Sequence, residues 1–421
     1  MTPRKTERAS LRPWLLPIVL AGLGALGWAC RDVGEDGDGG HGSTSDTDGG
    51  GAIDRAAVLE SIALQVLVPS TADFAARVQA LDDAVQTHAS AMAADPTTAD
   101  EPLATAQEAW REAMTQQQVL EVMQIGPAAP SISAPGGEDR RDGIYSWPTA
   151  DTCAVDRALA EARYEADDFF QAELVLSYGL DALEYLLFVH DDGHTCPAQV
   201  QLDGPWAALG PDELERRRSA YAARLAAELA AQGAALAERW SPAGGDFAAA
   251  LAEPGQGASP YASEAQALDD VFRAMFYVDK QTKDAKLGVP LGIVEGCAAV
   301  PCVSLMETQW SGDSAAFIAA NLRGLQLVLD GGPDPATADG FDDLLAAIGQ
   351  EEIAQTLRTD IAAAIELAEG LPAPLTQLAA TDPAQAQALY DALKKVTDTL
   401  KGPFVMALML TIPAEGAGDN D

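Results

Sequence analysis

Residues 179–188 read Gly-Leu-Asp-Ala-Leu-Glu-Tyr-Leu-Leu-Phe, which sets two carboxylates three residues apart in an otherwise apolar run. No proline interrupts it, and Ala182, Leu183, Leu186 and Leu187 are good helix formers, so Asp181 and Glu184 share one helix face. Two carboxylates buried on such a face need a counter-ion, a proton or a metal, because an unpaired buried charge is very costly. One arrangement pairs Glu184 with Arg111 or Arg163 and leaves Asp181 facing solvent. The other uses the pair as oxygen ligands, which suits iron(III), manganese, calcium or magnesium better than zinc.

Outward from this run the chain reads as helices. Phe74, Val78, Leu81, Val85, His88 and Met92 recur at spacings of 4, 3, 4, 3 and 4, predicting a helix opened by Ser70 or Thr71 and stopped near Pro96. His88 falls on its apolar stripe as a core residue. Leu103, Ala106, Trp110, Ala113, Gln117, Leu120 and Met123 predict a second helix, ended by Gly126-Pro127. A loop of about 25 residues with Tyr145, Trp147 and Pro148 leads into the carboxylate helix, and a regular helix spans Asp212 to Trp240.

Pro/Gly-rich stretches at 241–245 and 254–257 bracket a boundary. Beyond it the pattern predicts helices over 263–283, 313–329, 341–369 with a break near Gly349, and 383–400. The apolar run Phe404–Ile412 reads as either strand or helix. No strand alternation occurs elsewhere, so the expected class is all-α, with two packed helical bundles over residues 54–245 and 255–421.

The amino terminus reads as an export signal, residues 1–29: Arg4, Lys5, Arg8 and Arg12, then an apolar stretch from Trp14 to Leu26, too short for a confident membrane span. Cys30 directly after Gly27-Trp28-Ala29 is expected to carry a lipid anchor as a lipobox cysteine. Residues 30–53 read as an acidic tether; 31–52 hold eight Gly and six Asp or Glu, which cannot bury enough surface to order themselves and would reach roughly 25 Å. Arg31 lacks the aspartate character that marks inner-membrane retention in some bacteria, favouring the outer membrane.

The chain carries 26 Lys and Arg against 64 Asp and Glu, a net charge of −38. Nucleic acid is therefore excluded as an expected partner, and no Gly-rich phosphate loop opens a helix, which excludes nucleotides as well. Metal ions are compatible with the charge. Besides Cys30 there are four cysteines, an even number that reads as disulfides in an exported protein. Of the three connectivities, Cys153–Cys196 with Cys297–Cys302 is expected, the first clipping the flanks of the carboxylate helix.

Gly179–Phe188 resembles the signature of the imelysin-like envelope proteins, G-x-H-x-x-E followed by an aromatic and aliphatic run. Gly179, Glu184 and Tyr185 match; Asp181 stands where the family has histidine. Further segments resemble the family in order: Ala109-Trp110-Arg111, Glu121 with Gly126-Pro127, Asp142 to Trp147-Pro148, Glu307-Thr308-Gln309-Trp310-Ser311, and Gly418 to Asp421. The resemblance implies two helical bundles with a cleft between them, a bacterial cell-envelope location facing the periplasm or the surface, and a part in acquiring iron or another metal. It makes Asp181, Glu184, Glu307 and Ser311 the candidate cleft residues. The family was first classed as metallopeptidases, but with Asp181 for histidine and no H-E-x-x-H segment, zinc hydrolysis loses its ligand set. A non-catalytic binding protein is the favoured reading. The alternatives are a metallopeptidase and a module whose cleft serves another envelope protein.

Overall fold

The computed structural model describes residues 54–191 and 193–413. The expected signal segment, Cys30, the tether and the terminal Gly418–Asp421 motif lie outside them.

Asp54 opens the first helix, its Oδ1 accepting from the Ala57 N–H at 3.0 Å, and the helix runs on as α1, Arg55–Ala94. Ser70 and Thr71, expected to begin it, lie inside it and are buried; Thr71 Oγ1 donates to the Leu67 carbonyl at 2.8 Å. The true start escaped the periodic reading because Ile62–Leu67 is π-helical, which shifts the phase just before Pro69. By length and composition α1 could cross a membrane, but 56% of its most apolar window is buried inside the fold, the signature of a core helix.

α2 (Asp100–Glu121) returns antiparallel to α1. The signature helix α3 (Leu180–Phe188) and the long α4 (Pro211–Trp240) complete the first group, with α4 lying along α1. The second group holds α5 (Glu264–Met275), a π-helical segment Val278–Gly288, α6 (Ser314–Leu329), α7 (Glu351–Glu369) and α8 (Pro383–Thr399). Gly349 makes the expected break, with φ +71° between Phe341–Ala347 and α7. The run Phe404–Ile412 is helical only at its start: Leu400–Phe404 is a π turn followed by Val405–Leu408, and the helix ends at Met409 with φ +53°. No strand occurs among the described residues.

The two groups meet where α2 crosses α6. At Gly324 an added Cβ would lie 2.4 Å from the Val119 carbonyl oxygen, so only the absence of a side chain lets the helices approach this closely. Trp110 fills the same seam, edge-on to Phe317 of α6 and to Phe188 of α3. Both expected disulfides are present, Cys153–Cys196 with Cα atoms 4.5 Å apart and Cys297–Cys302 at 5.7 Å.

Candidate functional site: a buried polar seam beside a cavity

Gly179 precedes α3 with φ +99°, and a Cβ there would meet Asp181 Oδ1 at 2.9 Å and the Ile144 carbonyl oxygen at 3.1 Å. Glycine is therefore demanded by both conformation and space. The helix is anchored from α2, where Trp110 Nε1 donates to the Leu180 carbonyl at 2.8 Å and Gln107 Nε2 to the Leu187 carbonyl at 2.8 Å. Tyr185 donates to Asp156, which also accepts from the backbone and hydroxyl of Thr195 beside Cys196. The disulfide and this carboxylate together tie the flanks of α3.

Asp181 and Glu184 are buried, 6% and 2% exposed, which overturns the solvent-facing placement of Asp181. Asp181 accepts from Ser146 Oγ at 2.8 Å and from the Ala182 N–H at 3.0 Å. Among the described residues Glu184 meets no arginine. Arg111 pairs instead with Asp313 and Glu108, and Arg163 with Glu173 and Glu161. Glu184 Oε1 accepts the backbone N–H groups of Ser311 at 2.9 Å and Trp310 at 3.3 Å, so the signature helix reads the backbone of the second-half motif. Burial pushes Asp181 up to about 6 and Glu184 up to about 8, against the pull of these hydrogen bonds. Burial thus favours the protonated form of Glu184.

Glu307, fully buried, lies in a separate knot. Its Oε1 is 3.0 Å from the Lys286 ammonium and accepts from Gln118 Nε2 at 2.9 Å and from the Tyr145 hydroxyl. Lys286 also donates to Gln118 and, at 2.9 Å, to Asn321 Oδ1; Asn321 in turn donates to Gln118 Oε1 at 2.8 Å. Burial lowers the Lys286 pKa, and Glu307's charge opposes that. One turn along α2, Glu121 forms a two-pronged pair with Arg141, at 2.7 Å to Nη2 and 3.1 Å to Nε. Burial pushes Glu121 up, but Arg141's charge and hydrogen bonds hold it below the ordinary carboxylate value.

Arg141, Trp147 and Tyr277 carry this network to the wall of a cavity of about 380 Å³. The Lys286 ammonium stands behind two of them, 5.9 Å from the Trp147 ring centre and 5.2 Å from that of Tyr277. First-half residues from Glu121 to Pro148 make one side, and Arg273, Tyr277 and Lys280 make the other. Asp181, Glu184, Glu307 and Ser311 are absent from the wall. The structure brings Glu184 to Ser311, but not the four residues onto one open site.

These residues do not fit a directly ligated metal. Glu307's charge is met by Lys286, Glu184's oxygen is held by two N–H groups, and among the described residues no three His, Cys, Asp or Glu side chains form a metal-holding group. Gln118, Glu121, Arg141, Tyr145, Lys286 and Asn321 were not singled out from sequence as site residues. Gln117-Gln118 within the apolar face of α2, and Asn321 within Phe317–Leu325, were the available signals.

A helical protein with a seam-spanning buried charge network and one cavity wall from each half is the class this geometry defines. The chain belongs to the imelysin family, peptidase M75, whose family model matches residues 67–400. Two solved structures are similar in fold. One, from Parabacteroides distasonis and named as an iron-regulated protein A precursor, has a TM-score of 0.66 at 17% identity, covering 86% of this chain and 97% of its own. The other, an imelysin-like protein from Psychrobacter arcticum 273-4, has a TM-score of 0.63 at 20% identity, covering 85% and 96%. No curated protein matches the chain.

Proposed function

We propose that this chain is an exported, lipid-anchored, non-catalytic binding protein of the bacterial cell envelope, serving acquisition of iron or another metal. The cavity between the halves carries the reading: its volume of about 380 Å³ and its aromatic, charged wall suit a small-molecule ligand. The signature carboxylates serve architecture, with Glu184 pinning Ser311 across the seam and Asp181 held by Ser146. The export-type amino terminus and the disulfides support the compartment. The name of the Parabacteroides relative supports the link to iron.

The test is co-elution. The full chain is incubated with iron(III) supplied as citrate and with manganese(II) chloride, passed over a desalting column, and assayed for metal. Equimolar retained metal in either form supports the reading, and none in both refutes it. Chelator-sensitive cleavage of denatured casein by the same preparation would instead establish the peptidase alternative.

A further inference from the structure

Arg55, with which α1 begins, lines a shallow hollow together with Leu344, Ile348, Ala407, Met409 and Leu410. The side chains around it are apolar and uncovered. Met406 and Met409 stand 71% and 81% exposed at the last helical turn, and Ile348 and Ile412 add surfaces 36% and 37% exposed. Met409 also holds the left-handed φ of +53°, which at a helix end glycine takes without cost and a larger residue does not. Its side chain gains little burial within the fold in return. The strip is nonetheless fixed: the Leu410 N–H donates to the Val405 carbonyl at 3.1 Å, and Asp269 accepts from the Thr411 N–H at 2.9 Å and hydroxyl at 3.1 Å. A fixed, exposed apolar patch marks a contact surface.

Three observations say what covers it. Arg55, in a chain of net charge −38, forms no ion pair among the described residues. A guanidinium beside apolar surface suits lipid, its stem lying on the hydrocarbon and its head on a phosphate. The chain also enters the fold at this hollow, 25 positions after Cys30, so an anchor there holds this surface within roughly 25–30 Å of the bilayer. A second copy would instead bring the same large negative charge to the contact, which opposes association.

We propose that this strip docks on the lipid surface to which the chain is anchored, Met406 and Met409 entering the head-group layer and Arg55 meeting lipid phosphate. This rests on the lipid-anchored reading above and adds an orientation to it. Pro413, four residues beyond Met409, lines the cavity between the halves, so docking sets that wall within ~15 Å of the inserted methionine.

The test is fluorescence of the full chain, with its native amino terminus, in phosphatidylcholine vesicles. The two disulfides leave an introduced cysteine as the free thiol of a chain acylated at Cys30. A nitrobenzoxadiazole label is placed at Met409→Cys and, for comparison, at Leu174→Cys, an apolar position 70% exposed on the first group. The Met409 label should shift to the blue and be quenched by lipids spin-labelled near the head group, while the Leu174 label is unchanged. Adding Met406→Ser should move the docking equilibrium about tenfold toward the free state, the scale of one methionine withdrawn from lipid. A chain that floats with the vesicles but leaves the Met409 label unshifted overturns the docking and keeps the anchor. Equal quenching at both positions, or quenching indifferent to Met406→Ser, also overturns it. A blue shift that grows with protein concentration in the absence of vesicles assigns the strip to a second copy and overturns it as well. Failure to float removes the anchor and the docking together.

Discussion

Glu184→Gln isolates the most unusual group in the protein. Glutamine keeps a carbonyl oxygen for the Ser311 and Trp310 N–H groups and replaces only the titrating hydroxyl. Burial raises the Glu184 pKa from 4.5 to about 8, so the folded state holds this proton more tightly than the unfolded chain does. The sign follows: the contribution is full below pH 4.5, declines as pH rises toward 8, and is gone above it. The whole interval corresponds to at most ~5 kcal/mol, and the segment from pH 5 to 8 to ~4 kcal/mol. Asp181, raised to about 6, declines in the same direction from its lower starting point, but it is present in both proteins and cancels in the difference. Urea midpoints at pH 5, 6, 7 and 8 for both proteins measure the effect. The variant should gain on the native chain at each step up in pH. Parallel curves, or a native chain that gains on the variant with rising pH, would mean that Glu184 is ionised in the fold and would refute the reasoning.

Lys286→Met should cost about 3–5 kcal/mol, because it strands Glu307 without a counter-ion, and adding Glu307→Gln should recover much of the loss in a double-mutant cycle. Replacing Cys153 and Cys196 by serine opens a closure with a separation of 43 residues and should cost about 4 kcal/mol, against about 2 for the Cys297–Cys302 pair with a separation of 5, measured by denaturation of each double variant. Equal losses would refute the chain-entropy account. Gly324→Ala should destabilise by roughly 1–3 kcal/mol, since its Cβ would press on the Val119 carbonyl, whereas Gly204→Ala, which meets nothing within 4 Å, should be neutral within roughly 0.5 kcal/mol.

The helices were legible because each buries one stripe, and a stripe leaves a 3.6-residue rhythm in the letters. The start of α1 was misread where a π turn breaks that rhythm. The partner of Glu184 was illegible for a different reason: it is backbone N–H, which every residue but proline possesses and no letter announces. Arg111 and Arg163, attractive by charge, are held by other carboxylates, Arg111 by Asp313 across the seam and Arg163 by Glu173 close by in sequence. Lys286 and Gln118 lie 168 residues apart in sequence, and only the crossing of α2 with the second group brings them together. The cavity depends on how residues 126–148 fold back over the seam, through Arg141 to Glu121 and Tyr145 to Glu307, which periodicity does not encode.

α2 belongs to neither half alone. Gln118 is bonded at once to Lys286, Glu307 and Asn321, and Gly324 has removed any cushion between α2 and α6. A clamshell opening would have to pull a buried ion pair apart and expose a close-packed helix crossing, which is far costlier than moving surface chain. Under the proposed binding reading, entry would fall to the surface chain beside the cavity, where Pro130 and Ser133 line the wall and Ile132 stands 96% exposed between them. For a ligand bound as proposed, the bound and empty forms should therefore superimpose at the α2–α6 crossing, with any difference confined to the chain around Ile132.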